Sequence, residues 1–234
     1  MRRIIDTVAT TAIAAGAAWA VISALGAPAA VVVAAVAVAA VNGVVSGWRG
    51  VYDLSCTRGL MAVLADSTWA LVTTAAGLVA QCVAGCAALV GRPPGYVAEL
   101  SRGTGMHVYR GGLVIRSGYA ITIGSVVSGA GDVSRMSRRD LVCDHESVHV
   151  AQARWWGPLF PVLYLGWMLW GAVRAAVCWV SSGGRGGVAQ LGRLVDTAAY
   201  LRNPFERQAY RVAAERARVR AGVTSSPAGR TSPG

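Results

Sequence analysis

One long stretch without a charged side chain constrains this fold more than any other feature, because no charged residue occurs between Asp6 and Arg49. Gly26-Ala27-Pro28 divides the stretch, and the halves Thr7–Leu25 and Ala29–Val45 are each about long enough for a membrane-spanning helix. The sequence therefore predicts a hairpin of two spans. A cleaved signal peptide is the alternative, but the apolar stretch is longer than the hydrophobic region of such peptides.

Composition and a second apolar stretch extend this prediction. Only 14% of the residues are charged, against roughly 25% in soluble domains, and 54% are hydrophobic. Ser67–Val90 is a third candidate span, which ends before Arg92-Pro93-Pro94. We therefore expect a membrane-spanning region of about three helices over residues 1–92. Residues 222–234 are rich in Ser, Pro and Gly, which predicts a disordered tail.

The arginines and the cysteines argue against two classes of function. Every basic residue is Arg, and the net charge is +11, yet no nucleic-acid-binding motif accompanies these charges. We expect membrane lipids, through anionic head groups, and not nucleic acid as the partner of the basic residues. The five cysteines form no C-x-x-C pair, so they are expected to be small buried apolar side chains and not zinc ligands.

Residues 106–127 have the composition of a small β-sheet. Three short β-like runs, Met106–Tyr109, Leu113–Ile115 and Tyr119–Val127, are separated by Gly-containing turns. His107 lies in the first run. A lone histidine in a strand is more often structural than a metal ligand, and we expect a structural role for His107.

The sequence His145-Glu146-Ser147-Val148-His149 carries the chemistry of the chain. On a helix, which we predict over roughly Arg139–Trp156, residues four apart share a face, so His145 and His149 can bind one metal ion. Glu146 can then act as general base on a water at that ion, as in H-E-x-x-H zinc hydrolases. Two surface histidines are the alternative. A di-iron site is set aside, because no second E-x-x-H occurs.

A catalytic zinc site needs a third protein ligand, and the acidic residues downstream are few. Asp196, Glu206 and Glu215 are the candidates, and Glu206, in Asn203-Pro204-Phe205-Glu206, is our choice. A competing role exists, since Asn203 can cap a helix that begins at Pro204, with Glu206 completing a capping box. Both roles place Glu206 in the first turn of a helix, so the residues alone leave them open.

The motif His145-Glu146-x-x-His149-x-x-Gln152, followed by Trp156-Gly157-Pro158-Leu159 and by Asn203-Pro204-Phe205-Glu206-Arg207, resembles bacterial zincin-like proteins of the gluzincin type. The resemblance covers roughly residues 105–217. It implies Glu206 as the third ligand of Zn²⁺ and a small α+β zincin-like domain, predicted over residues 96–221. Gln208 replaces an acid that relatives commonly carry, and the N-E-x-x-S-D continuation is missing, so hydrolysis is less strongly implied than metal binding.

The apolar segment Leu159–Val180 lies between the two halves of this site. If it crossed the bilayer once, Glu206 would lie on the opposite side from His149. Arg174, Pro161 and several glycines therefore favour a membrane-associated re-entrant or interfacial hairpin, with a fourth span as the alternative. Five tryptophans in this part of the chain suit a membrane–water boundary: Trp155, Trp156, Trp167, Trp170 and Trp179.

Together these observations predict a mainly α membrane protein of a bacterial cell membrane, with amino-terminal transmembrane helices and a small α+β zincin-like domain. The expected function is hydrolysis of a peptide or protein substrate by a zinc-activated water, with Glu146 as base. Tyr200 or Tyr210 is a candidate for stabilising the oxyanion, although a packing role is commoner. The alternatives are a non-catalytic scaffold with a degenerate zincin fold and a membrane-active protein with an accidental motif. The sequence does not indicate an oligomeric state.

Overall fold

The computed structural model describes residues 1–89, 91, 93–114 and 118–222 of the chain. These residues are mainly helical, with one small three-stranded sheet. In chain order the elements are α1 (Arg2–Ala24), α2 (Ala29–Arg49), α3 (Thr57–Ser67), α4 (Leu71–Leu89), α5 (Ala98–Ser101), β1 (His107–Val108), β2 (Ile121–Ile123), β3 (Val126–Ser128), α6 (Met136–Asp140), a π-helical turn (Leu141–Glu146), α7 (Ser147–Trp156), α8 (Leu159–Ser181), α9 (Gly187–Val195), a second π-helical segment (Asp196–Leu201) and α10 (Pro204–Arg220). A mainly α protein with a short sheet is thus confirmed.

Four of these helices, α1, α2, α4 and α8, are long and apolar enough to cross a membrane. The first three coincide with the helices predicted as spans, whose crossing of a membrane stays a prediction. The third helix begins at Leu71 and not at Ser67, which ends α3, and Val90 lies outside the described residues. The predicted tail, residues 222–234, also lies outside them apart from Gly222. The expectation of buried cysteines was wrong, because four of the five face outward from the protein and only Cys143 is partly covered.

Helices α1 and α2 form the predicted hairpin, and glycines on α2 bring the two backbones together. A Cβ atom added at Gly43 would lie 2.7 Å from the Cα of Thr11, and one at Gly47 would lie 2.6 Å from the Cα of Thr7. Real Cβ atoms do not approach this closely, so larger residues would force the helices apart. Gly26 closes the connection with a φ of +71°, a conformation that glycine adopts without steric cost.

The third candidate span, α4, packs its inner face against the sheet. A Cβ atom at Gly77 would lie 3.0 Å from the carbonyl oxygen of Ile123, and one at Gly124 would lie 2.2 Å from that of Thr73. The outer face of α4 exposes apolar side chains such as Val72 and Val79. α4 therefore contacts the sheet across the predicted boundary between the helical region, residues 1–92, and the domain that begins at residue 96. That division stays a prediction.

The sheet has the strand order β1-β3-β2, with β1 parallel and β2 antiparallel to β3. The first predicted run is confirmed as β1. The run predicted over Tyr119–Val127 is two strands, because Gly124, with a φ of +58°, turns the chain between β2 and β3. In the remaining run, Leu113 and Val114 are not in a strand, and Ile115 lies outside the described residues.

An apolar core fills the space between this sheet and the helical stretch that contains the H-E-x-x-H sequence. Nine buried side chains form it: Val97, Leu100, Met106, Val108, Val127, Ala130, Val133, Val142 and Val150. These residues come from the sheet, from the loops around it and from the helix that carries the two histidines. The core therefore fixes that helix against the sheet.

A buried polar chain connects the amino-terminal hairpin to α7. Asn42 on α2 donates to the hydroxyl of Tyr52, which donates to Asp66 on α3 over 2.7 Å. Arg154 on α7 binds both oxygens of Asp66, at 2.8 and 2.7 Å, and also donates to the carbonyl of Gly105. This bidentate ion pair is buried, so it orients α7 relative to the apolar helices.

Helix α8 runs without a break from Leu159 to Ser181, and the chain then returns along it. Pro161 lies in the first turn, where a missing backbone N–H costs no helical hydrogen bond. The return leg consists of α9 and the second π-helical segment, both of which pack on α8. Their closest approach is at Gly171, where an added Cβ would lie 2.5 Å from the carbonyl oxygen of Ala198.

This return leg removes the conflict between a spanning α8 and a ligand role for Glu206. To avoid that conflict, a re-entrant or interfacial hairpin was predicted within Leu159–Val180. α8 is instead one continuous helix, and the return leg packs along it, so α10 begins near the end of α8 at which the chain entered. Of the five tryptophans assigned to the boundary, Trp167 and Trp170 lie in the middle of α8 and Trp179 lies in its last turn, and the boundary itself stays a prediction.

We expect Gly171→Ala to destabilise the protein by about 1–3 kcal/mol, because the added methyl overlaps the backbone of the return leg. Gly166→Ala on the same helix is the matched control, since nothing lies within 4 Å of a Cβ there. Removing a helix glycine alone adds up to about 1 kcal/mol of stability. Thermal unfolding in detergent micelles measures the difference, and equal midpoints for the two variants would contradict the packing.

Candidate metal centre

The two histidines lie in one continuous helical stretch, Met136–Trp156, which begins three residues earlier than predicted and ends where predicted. His145 and Glu146 belong to its π-helical turn, and His149 lies in α7. Such wider turns within α-helices are frequent at functional sites. Gly157 stops the stretch with a φ of +53°, and its lack of a side chain leaves room for the indole of Trp69.

Three side chains from two separate helices converge in the interior. The Nε2 atoms of His145 and His149 lie 3.3 Å apart, and each lies 3.3 Å from a different carboxylate oxygen of Glu206. The exposed fractions of the three residues are 4%, 6% and 2%. The structure therefore brings together the three ligands that the sequence proposed, although His145 and Glu206 are 61 positions apart.

Asn203 alone caps α10, so Glu206 is not needed as a capping residue. The side chain of Asn203 accepts a hydrogen bond from the backbone N–H of Phe205, and Pro204 occupies the first helical position of α10. The backbone N–H of Asn203, which a capping box would offer to Glu206, donates to the carbonyl of Tyr200. The cap is thus complete without Glu206, whose carboxylate turns towards the two imidazoles.

The other two candidate ligands lie elsewhere. Glu215, on the same helix as Glu206, is exposed to solvent. Asp196 is exposed at the start of the second π-helical segment, and neither residue belongs to the group of side chains that can hold an ion. Glu206 is the carboxylate that meets the imidazoles in the described part of the chain.

The three side chains are close enough to hold one divalent ion. One ligand atom from each of His145, His149 and Glu206 lies within 4.8 Å of the other two, and each imidazole contacts its own oxygen of the Glu206 carboxylate. Oε2 of Glu206 is buried, and its one close polar neighbour among the described residues is Nε2 of His145 at 3.3 Å, so a cation would supply a further partner. Three protein ligands leave one tetrahedral position open, as in catalytic zinc sites.

The pKa values of Glu206 and His149 depend on each other, because the two side chains are in contact. Burial alone would raise the pKa of the Glu206 carboxyl, but hydrogen bonds from His145 and His149 hold it well below its ordinary value. Burial alone would lower the pKa of His149, whereas the hydrogen bond and charge of Glu206 raise it. A cation that binds here competes with the proton of His149, so its binding releases protons.

Gln152, the glutamine of the H-E-x-x-H-x-x-Q motif, orients His149. Its carbonyl oxygen, which can only accept a hydrogen bond, lies 2.8 Å from Nδ1 of His149, so Nδ1 carries a proton and Nε2 is the nitrogen that would bind a metal in the site. The amide nitrogen of Gln152 donates to the backbone of Phe205 and to Gln208, both on α10. Gln208, whose type weakened the family comparison, thus takes part in the support of the site.

We expect Gln152→Met to weaken zinc binding by about 10–100-fold, the range found when partners behind a metal-bound histidine are removed. Methionine keeps the volume of the side chain but cannot hold the proton of His149 on Nδ1. Gln190→Met on α9, far from the site in sequence and bonded to Arg193, is the control. Competition with a fluorescent chelator measures the affinity, and equal affinities for the two variants would contradict the orienting role.

Glu146 lies next to the three converging side chains and is itself buried. Thr122 on β2 donates a hydrogen bond of 2.7 Å to Oε2 of Glu146, so the sheet fixes the orientation of this carboxylate. Thr122 was not singled out from the sequence, because its role depends on how the sheet packs on the helix. The negative charge of Glu146 also contributes to the raised pKa of His149, which places the two groups within electrostatic reach.

Three tyrosines surround the site, and the sequence identified two of them. The ring of Tyr210 lies 4.5 Å from that of His145, and the hydroxyls of Tyr200 and Tyr210 are 3.5 Å apart. Tyr164, which was not a candidate from the sequence, donates a hydrogen bond of 2.5 Å to Oε1 of Glu206. Because Tyr164 belongs to α8, an apolar helix contacts the candidate metal centre directly.

The remaining histidine, His107, does not join this site. It is fully buried, with Nε2 3.0 Å from the hydroxyl of Ser46 and Nδ1 3.4 Å from Arg49. Burial and the charges of Arg49 and Arg154 lower its pKa to about 3. His107 is therefore a neutral structural residue that connects β1 to α2, as its position in a strand predicted.

We expect the free energy of unfolding to fall with decreasing pH between about 6.5 and 3 because of His107. In that range the unfolded state binds a proton on this residue and the folded state does not, which contributes about 1.4 kcal/mol per pH unit. Chemical denaturation of the protein and of His107→Asn measures the difference in slope. Parallel pH profiles for the two proteins would contradict this assignment.

The carboxyl-terminal helix is anchored to the start of the π-helical turn. Arg220 donates to Asp144 and lies 3.3 Å from Asp140, while Arg216 donates to the carbonyl oxygen of Cys143. Two of the arginines that were expected to face lipid head groups are thus engaged within the protein. These contacts hold α10 antiparallel to the histidine-bearing helix and so support the position of Glu206.

No family model, no curated protein and no solved structure matches this chain. The resemblance to zincin-like proteins therefore stays a prediction made from its motifs, as does a zincin-like domain over residues 96–221. The function must be argued from the geometry of the site.

Proposed function

We propose that this chain is a multi-pass protein of a bacterial cell membrane that hydrolyses peptide bonds at a zinc centre held by His145, His149 and Glu206. One observation carries the proposal: the buried side chains of His145, His149 and Glu206, from distant parts of the chain, converge so that one ligand atom of each lies within 4.8 Å of the others, as a metal site requires. The adjacent carboxylate of Glu146 adds a general base. Zinc and peptide hydrolysis are both parts of the proposal.

The ligand set favours zinc over other common divalent ions. Two imidazoles and one carboxylate are typical of catalytic zinc, whereas Mg²⁺ and Ca²⁺ prefer sites made of oxygen atoms. When bound, zinc polarises a carbonyl oxygen and lowers the pKa of water at its open position from 15.7 to about 7. Gln152 prepares the site by holding the proton of His149 on the nitrogen that faces away.

The residues of the chain then have separate tasks in the proposed reaction. Glu146 accepts a proton from the attacking water on a carboxylate oxygen and passes it to the leaving amine. Thr122 keeps that carboxylate oriented through its hydrogen bond. Of the two candidate tyrosines for stabilising the oxyanion, Tyr210 is the better placed, because its ring lies beside that of His145. β2 pairs only with β3 among the described strands, so its other edge is available to an extended peptide.

A second function is favoured by the burial of the site. The ligands and Glu146 are at most 6% exposed, and Glu146 already has a hydrogen-bond partner in Thr122. A centre closed in this way also suits a structural ion that ties α10 to α7. In that case the protein is a non-catalytic membrane scaffold whose folding depends on metal.

Peptide digestion with and without metal separates these two functions. The full chain, reconstituted in lipid vesicles, is incubated with a library of random peptides, and new termini are identified by mass spectrometry. We expect cleavage that disappears when a chelator removes the metal and returns when zinc is added. Cleavage that is absent from a folded, zinc-containing protein would support the scaffold instead.

A further inference from the structure

We propose that the substrate is a membrane-anchored polypeptide, cut within a few residues of the lipid surface on the side where α8 begins. This inference rests on the proposed function and specifies its substrate class. It goes beyond the site itself, because it depends on where the bilayer lies relative to the ligands.

The length and the ends of α8 define the position of the bilayer. Its 23 residues extend for about 34 Å, slightly more than the roughly 30 Å of the hydrocarbon core. Trp155 and Trp156 directly precede it, with exposed fractions of 81% and 39%, and Trp179 lies in its last turn. Tryptophan is enriched at both membrane–water interfaces, so the two ends of α8 coincide with the two surfaces.

The candidate metal centre lies at the first of these surfaces. Tyr164, whose hydroxyl binds Glu206, is five positions after Leu159, which corresponds to about 8 Å along the helix. Side chains on a helix lean towards its amino-terminal end, which brings the hydroxyl closer still to the boundary. The ligands therefore lie within about one or two helical turns of the lipid surface.

Apolar side chains are exposed around this end of α8 and around the site. Leu163 and Tyr210 have exposed fractions of 43% and 45%, and Leu201, at the end of the return leg, 51%. Trp69 is also exposed there, and its indole donates to the carbonyl of Trp155. A soluble peptide gains little from such surroundings, whereas a peptide that emerges from the bilayer passes directly beside them.

The position of cleavage relative to an anchor tests the proposal. The probe is a library of random 20-residue peptides with a palmitoyl group at one end, held in phosphatidylcholine–phosphatidylglycerol vesicles that contain the zinc-loaded full chain. An extended peptide rises about 3.3 Å per residue. We therefore expect cuts within about five residues of the anchor, identified by the length of the lipid-bound product, and at least about ten-fold fewer cuts beyond ten residues.

The possible failures are distinguishable. Cuts spread evenly along the anchored peptides, or found only far from the anchor, would overturn the substrate class and leave metal-dependent hydrolysis intact. Absence of Glu146-dependent cleavage in both the anchored and the unanchored library would overturn the proposed function, and the substrate class with it.

A second measurement does not depend on activity. In the Glu146→Gln protein, the photoreactive amino acid p-benzoylphenylalanine replaces Leu163, next to Tyr164, or Val180, which has an exposed fraction of 67% at the far end of α8. We expect crosslinks from position 163 to the first residues after the anchor, and crosslinks from position 180 to lipid alone. The same peptide crosslinks at both positions would overturn the proposal.

Discussion

Changing Glu146 to Gln is expected to lower peptide hydrolysis by about 10²–10⁴-fold while zinc remains bound, because proton transfer by a positioned base contributes about this factor. Glutamine keeps the shape of the side chain and an oxygen that accepts the hydrogen bond from Thr122. It cannot accept the proton of the attacking water. The rate of cleavage in vesicles and the zinc content by elemental analysis are measured on the same preparation.

Glu99→Gln is the matched control for this substitution. Glu99 is a carboxylate on the short helix α5, its side chain is 60% exposed, and its distance of 3.8 Å to Arg139 makes only a weak surface contact. We expect unchanged hydrolysis and unchanged zinc in that variant. Loss of zinc together with activity in Glu146→Gln would mean that Glu146 holds the site together and does not act as a base.

Changing Glu206 to Gln is expected to weaken zinc binding by at least about 100-fold. A direct ligand contributes more than its supporting partners, whose removal already costs about 10–100-fold. In the metal-free protein, the same substitution is expected to lower the pKa of His149. The neutral amide replaces the carboxylate whose hydrogen bond and charge raise that pKa. Competition against a fluorescent chelator at fixed pH measures the affinity.

Glu215→Gln provides the control for the third ligand. Glu215 lies on the same helix, nine positions further on, and is exposed. We expect wild-type zinc affinity for this variant. Equal zinc affinity for Glu206→Gln and for the unaltered protein would show that Glu206 is a hydrogen-bond partner of the histidines and not a ligand.

Features that depend only on residues close together in the sequence could be predicted from it. Two imidazoles four positions apart face the same way on any helix, and an uncharged stretch of sufficient length is recognisable by composition alone. The choice of Glu206 needed the resemblance as well, because Asn203 and Pro204 explain the same turn as a cap. The structure separates the roles, since the backbone N–H of Asn203 is already bonded to Tyr200.

Features that depend on how segments far apart in the sequence pack together could not be predicted. The return leg after α8 is short and contains Arg193 and Asp196, so it does not form a long apolar stretch in the sequence. Its packing depends on the close contact between Gly171 and Ala198. Tyr164 and Thr122 became relevant only when α8 and β2 were packed beside the site. The cysteines were misjudged because outward-facing positions on an apolar helix look the same in a sequence as buried ones.

The helical hairpin that separates α7 from α10 has a consequence for synthesis. During synthesis, the two imidazoles are made long before the carboxylate that faces them, because α8 and its return leg come between them in the sequence. A half-finished protein therefore holds its histidines without their partner. Under the proposed function, the metal centre therefore has all of its ligands only when synthesis has reached α10.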